Sequence, residues 1–163
     1  MNRTFALLRT LVVAPLFVLL WTYFFPRWMG LKLQVVFPAG WILIVIGGLI
    51  AGWCVLVFPL RGLGTPAPWD PPRRLVVSGL YRFVRNPMYV GMGILMVGEA
   101  ILIGRVEMIY LTLFALFAVS LFIVLYEEPT LRTKFGDDYL AYCRHVRRWI
   151  PRVTPYKAAP SSF

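Results

Sequence analysis

Hydrophobic positions fall in four long runs along the chain, and polar positions collect between and after them. The first run covers about Leu7 to Phe25, with Thr10 to Pro26 free of charge. The second, Leu33 to Leu60, carries no charge at all. The third, Pro87 to Gly104, is interrupted only by Glu99, and the fourth, Val106 to Tyr126, is uncharged from Met108 onward. A helix needs about 20 mainly apolar residues to cross a bilayer. The pattern therefore predicts an all-α integral membrane protein with about four transmembrane helices. Only the Gly104-Arg105 junction separates runs three and four, so these two form an antiparallel hairpin.

Details refine the runs. Arg9 can snorkel to the interface, and Pro15 is placed to kink the first helix. No small-residue cleavage site follows that helix, only Trp21-Thr22-Tyr23-Phe24-Phe25, so it reads as an uncleaved anchor rather than a secretory signal. Pro38 marks an entry turn into the second helix. Gly48 and Gly52 give that helix a small-xxx-small spacing suited to close packing.

The segment Arg61 to Arg85 contains Thr65-Pro66-Ala67-Pro68-Trp69-Asp70-Pro71-Pro72. Four prolines fix φ and remove donors, which predicts a stiff, extended loop. Leu75-Val76-Val77 then lies on the membrane surface or against the bundle. After Tyr126, the residues Leu131, Phe135, Tyr139, Tyr142 and Val146 recur on one helical face. Gly136 before Asp137-Asp138 is placed to split that helix in two. The tail thus predicts amphipathic C-terminal helices that fold back toward the membrane, and a mobile end over 154–163. Residues 1–153 form one domain, in which 1–60 supply two transmembrane helices and 61–153 supply the loop, the hairpin and the C-terminal helices.

Composition supports a bilayer as solvent. Of 163 residues, 60% are hydrophobic and 15% charged, where soluble domains carry about 25% charged. The net charge of +10 would suit nucleic acid. However, the cations flank the apolar runs: two lie before the first, five in 61–85 and seven after Tyr126, against three on the opposite side. The positive-inside rule explains this and puts both termini and the long loop in the cytoplasm. No nucleic-acid partner is expected. His145 has no companion ligands, and Cys54 and Cys143 lie in unlike surroundings, so neither a metal site nor a disulfide is expected.

The candidate chemistry sits at the membrane boundary. A hairpin brings the start of the third helix beside the end of the fourth. Tyr81, Arg82, Arg85, Asn86 and Tyr89 should therefore neighbour Glu127 and Glu128, with Arg73-Arg74 nearby. Such a cluster offers cations and carboxylates for a zwitterion, aromatic faces for a sulfonium or a base, and a glycine pair, Gly91-Met92-Gly93. S-adenosylmethionine would use all of them. Simpler alternatives stand beside this. The arginines could be positive-inside anchors, the tyrosines interfacial belt residues, and the glutamates salt-bridge partners of the arginines. Glu99, a carboxylate within a membrane helix, could line an acceptor tunnel, or could be protonated or paired with Arg105.

The run Ser78-Gly79-Leu80-Tyr81-Arg82-Phe83-Val84-Arg85-Asn86-Pro87-Met88-Tyr89-Val90-Gly91 resembles the signature of the isoprenylcysteine carboxyl methyltransferase and phospholipid methyltransferase superfamily, whose usual core is Arg-His-Pro-x-Tyr. Glu127-Glu128 followed by Leu131, Phe135-Gly136, Tyr139, Tyr142 and Pro151 is similar to that family's second motif. The likeness covers about Gly64 to Pro151. It implies an integral membrane enzyme that moves a methyl group from S-adenosylmethionine to a lipid or lipophilic acceptor at the cytoplasmic face. It implies cofactor contacts at Arg73, Arg74, Leu75, Val76, Tyr81, Arg85, Asn86, Pro87, Met88, Tyr89, Gly91, Gly93, Glu127 and Glu128, with Glu127, Glu128 and Arg85 nearest the chemistry. Asn86 replaces the usual histidine. Leu121 to Tyr126 lacks the arginine that prenylcysteine enzymes carry before the glutamates, which argues against a prenylcysteine acceptor specifically. The other function classes are a phospholipid amine N-methyltransferase, a sterol-reductase-like membrane oxidoreductase and a non-enzymatic membrane subunit.

Overall fold

The computed structural model describes residues 20–30, 34–57 and 75–157, and all regular structure among them is helical. Of the first apolar run only its end is described, as a π turn (Leu20–Phe24) leading into α1 (Phe25–Trp28). Pro15, the proline-rich loop and Arg73-Arg74 lie outside the described residues. The remaining helices are α2 (Gly40–Val57), α3 (Pro87–Ile103), α4 (Val106–Phe122) and α5 (Glu128–His145). A 3-10 turn (Gly79–Arg82) precedes α3, and a π turn (Ile123–Glu127) joins α4 to α5. The helix α2 and the helical run from Val106 into α5 are long and apolar enough to cross a membrane. The apolar α3, 17 residues long, packs against both α2 and α4.

Turn chemistry sets the ends. Gly40 N–H donates to Phe37 C=O and Trp41 N–H to Pro38 C=O, so the expected entry turn sits at Pro38. Pro87 opens α3, where a missing N–H is no loss. Gly104 closes α3 at φ 65°, a left-handed cap that favours glycine. Arg105 is extended, and α4 returns antiparallel. Met108 is buried against Ala100 and Ile103, and the Thr112 hydroxyl donates to Met96 C=O at 3.4 Å. The hairpin predicted from Gly104-Arg105 is therefore present.

The closest helix pair is α2 with α3, and glycines permit it. A Cβ on Gly47 would lie 2.5 Å from Gly91 C=O and 2.5 Å from the Leu95 amide nitrogen. Gly40 and Gly98 meet the same way one heptad further along. Lipid supplies no hydrophobic drive between helices, so close backbone approach is how they hold together. The predicted small-xxx-small pair is corrected here. A Cβ on Gly48 would touch only Leu95 at 3.9 Å, and one on Gly52 would meet nothing. The packing face runs through Gly47 and Ala51, one residue earlier.

Pro129 explains the π turn. Its ring would collide with the Leu125 carbonyl in a regular helix and it has no N–H to donate. A wider turn at 123–127 lets the chain continue as one helical run. Gly136 then breaks α5 at φ 51°, ψ −126°, as its place before Asp137-Asp138 predicts. The amphipathic face also holds: Tyr139, Tyr142 and Val146 are buried with Leu75, Val77, Leu131 and Phe135 around them. Of the expected mobile end, residues 154–157 are described and 158–163 lie outside the described residues. Tyr156 N–H donates to Arg82 C=O at 2.9 Å and Arg82 Nε to Tyr156 C=O at 2.9 Å, and the Tyr156 ring sits 5.8 Å from Tyr142. Tyr156 thus ties this part of the chain to Arg82.

Gly47→Ala should destabilise the protein in detergent by about 2 kcal/mol, as overpacking against backbone does. Gly52→Ala should change stability by less than about 0.5 kcal/mol. Thermal unfolding of both variants checks this, and equal effects would contradict the assigned packing face.

Candidate functional site

The boundary cluster is built from three pieces of chain: the approach to α3, the end of the α4 run, and the segment after α5. A backbone strap fixes the first to the last. Arg85 N–H donates to Arg147 C=O and Arg152 N–H to Phe83 C=O, both at 2.9 Å. At the centre, Glu128 is 4% exposed. Its Oε1 accepts from Arg148 Nε at 2.7 Å and Arg85 Nη1 at 3.1 Å, and its Oε2 accepts from Arg148 Nη2 at 2.8 Å. Burial works against this carboxylate's charge, but the Arg148 hydrogen bond and the Arg85 and Arg148 charges outweigh it and hold its pKa below the ordinary range. Arg85 Nη1 also donates to Cys143 Sγ at 2.9 Å.

Glu127 lives differently. Neighbouring residues on a helix point about 100° apart, so the twin acids cannot share partners. The Tyr89 hydroxyl donates to Glu127 Oε2 at 2.9 Å. Burial, with a further contribution from the Glu128 charge, raises the Glu127 pKa above its ordinary value despite that hydrogen bond. One acid is thus locked by two guanidiniums, and the other holds a proton more readily and keeps acceptor capacity.

Tyr81, Val76 and Met88 form a small core with Cys54 and Val57, and Tyr89 packs on its edge. The Tyr142 hydroxyl donates to Tyr81 C=O at 2.6 Å. Burial, then the Cys54 and Glu127 charges, push the Tyr81 hydroxyl well above its usual pKa, so it stays protonated. Leu75 packs on the α5 face instead. Pro87 is fully buried. Asn86 is 8% exposed, and among the described residues neither its Nδ2 nor the buried Ser78 hydroxyl has a hydrogen-bond partner. Buried donors in this state are unusual and call for a ligand or an explanation.

Beside Tyr89 runs an apolar cavity of about 400 Å³. Its floor is one face of α3 (Tyr89, Val90, Gly93, Ile94, Val97), its walls are Leu43 of α2 and Leu116 of α4, and Trp149 stands at the rim. From Tyr89 to Val97 is about 12 Å of helix at 1.5 Å per residue. The groove therefore begins at Tyr89, whose hydroxyl bonds Glu127, and runs along α3 between α2 and α4.

The structure pairs four of the residues expected there, Arg85 with Glu128 and Tyr89 with Glu127, and packs Val76, Tyr81 and Met88 beside Tyr89. It separates the glycine pair. Gly91 backs onto Gly47 and Ala51 of α2, whereas Gly93 faces Leu116 and the groove. The salt-bridge alternative holds for Glu128, whereas among the described residues Glu127 has no ion pair. Glu99 is buried but does not line the groove, and Arg105 bonds Glu107 at 3.2 Å. Sequence reasoning missed Arg148 and Trp149. The Arg147-Arg148 pair was absorbed into the positive-inside count, and no periodicity marks a residue in an irregular strap. Among the described residues no three His, Cys, Asp or Glu side chains gather to hold a metal.

Residues 33–138 match the model of the family described as phospholipid methyltransferase. The chain is also similar to protein-S-isoprenylcysteine O-methyltransferase of Schizosaccharomyces pombe, at 36% identity over 81 residues, which covers 48% of this chain and 34% of that protein. The match thus spans about a third of the length of that curated relative. No solved structure matches.

Glu128→Gln should lower stability by about 2–3 kcal/mol, because it leaves two guanidiniums facing a neutral group. Glu127→Gln should be neutral or slightly stabilising. The Glu128 contribution is fully present above the ordinary carboxylate pKa and is lost as pH falls through its depressed folded value. Thermal unfolding from neutral to acid pH checks both. The wild type should lose stability on acidification more than Glu128→Gln does.

Proposed function

The chain belongs to the phospholipid methyltransferase family, and from that premise we propose that it transfers a methyl group from S-adenosylmethionine to a lipophilic acceptor. Four spans, with both termini and the reacting corner on the cytoplasmic side, complete the proposal and rest on the distribution of cations. The observation that carries the reading is the Tyr89–Glu127 pair at the polar end of an apolar groove.

The residues present suit the methyl donor. Asn86 Nδ2 and the Ser78 hydroxyl are two buried hydrogen-bonding groups without a partner among the described residues. Glu127 offers acceptor lone pairs to an ammonium or a ribose diol, and Arg85 brings positive charge toward a carboxylate. The donor supplies an electrophilic methyl on a sulfonium, and the rest of the task falls to the protein. Orientation alone contributes up to about 7–11 kcal/mol in well-aligned cases. The groove takes the acceptor's apolar chain and leaves its reactive end at Tyr89. An amine acceptor must release a proton, and Glu127 is positioned to take it, with a pKa raised toward the range that suits a general base. Glu128 acts through Arg85 and Arg148 and positions the corner.

Purified protein incubated with methyl-labelled S-adenosylmethionine and host lipid extract should move label into the organic phase. Glu127→Gln should lower that rate about 100-fold. Val97→Trp, which fills the groove, should raise KM for the acceptor and leave kcat within a few-fold. Label that stays wholly with the aqueous donor, with folded wild-type protein, would defeat the proposal.

A further inference from the structure

The segment after α5 does more than strap the approach to α3. Ile150 is 61% exposed and Val153 96% exposed, and Trp149 stands at the groove rim. These apolar side chains sit on backbone that is held in place, since Arg147 and Arg152 are hydrogen-bonded through their main chains to residues 83–85. Apolar side chains exposed beside a binding groove mark contact surfaces, membranes among them. Cations lie close to them along the chain. After Gly136 the chain carries five Lys or Arg against two acids. Arg148 is taken up by Glu128, whereas Arg144, Arg147 and Lys157 are exposed.

We infer that residues 144–157 form a second membrane contact, in which Ile150 and Val153 dip into the interface and Arg144, Arg147 and Lys157 engage anionic lipid headgroups. Two observations fix the occupant. Trp149 makes the patch continuous with the apolar groove, whose other walls are the membrane helices themselves. The pairing of exposed apolar tips with exposed cations is the composition that binds an anionic bilayer surface. A soluble acidic partner would match the cations but would leave the continuity with the groove unexplained. The consequence is that anionic lipid steadies Trp149 at the rim, so the lipid surroundings influence entry to the groove.

The test uses the full chain carrying Val153→Cys with a nitroxide label, in nanodiscs of phosphatidylcholine alone or mixed with phosphatidylglycerol. Unmutated protein taken through labelling gives the background from Cys54 and Cys143. In the anionic discs the label should become several-fold more accessible to oxygen and less accessible to a water-soluble nickel chelate, and high salt should reverse this. Each cation near an anionic surface contributes about fivefold to binding. Arg144→Gln with Arg147→Gln should therefore remove most of the difference; both side chains are exposed, and the Arg147 carbonyl bond to Arg85 is retained. A label at Ile150→Cys should follow the same pattern. Equal accessibility in the two lipids, or a label open to nickel in both, would overturn the inference.

Discussion

A single buried carboxylate organises the boundary. Glu128 sits at the end of the α4 run, Arg85 just before α3, and Arg148 on the strap after α5. Bringing three charges out of water is unfavourable unless geometry is good and every lone pair is used. Here a two-pronged guanidinium and a second arginine meet both oxygens. The arrangement tolerates little displacement of any of the three segments. Asn86 and Tyr89 follow Arg85 within four residues, and Glu127 adjoins Glu128. Their relative places therefore follow from this one cluster.

The twin acids show how adjacent identical residues come to do different work. Helical geometry turns them apart, and the surroundings then set opposite pKa directions. Glu128 is held ionised by two cations, whereas Glu127 is buried and accepts from a tyrosine hydroxyl. Pairs of titratable groups whose environments push them apart are a recurring feature of sites that handle protons. The π turn at 123–127 belongs to the same construction, because such turns gather at functional positions in long helices.

Much of this was legible in the sequence, for identifiable reasons. Gly104-Arg105 left no room for anything except a hairpin, and the hairpin put Tyr89 beside Glu127. The 3.6-residue recurrence from Leu131 to Val146 named the buried face of α5, and Gly136 named its break. Other features needed coordinates. Glycine spacing in α2 offered two faces one residue apart, and only the partner helix decides which is used. Arg148 and Trp149 lie where the backbone follows no period, so their roles come from tertiary hydrogen bonds rather than pattern. Pro129 was a readable signal for the widened turn, since proline within a helical run always requires a local accommodation.

The central claim is that Asn86, Tyr89 and Glu127 form the receptor for the sulfonium donor. Calorimetry with S-adenosylhomocysteine on wild type and on Asn86→Leu tests it most directly. Removing a buried donor that has no partner should leave thermal stability unchanged or raised by about 1–3 kcal/mol. The account predicts saturable single-site binding to wild type, and loss of that binding in the equally stable variant. Undiminished binding by Asn86→Leu, or no binding to folded wild type, would contradict it.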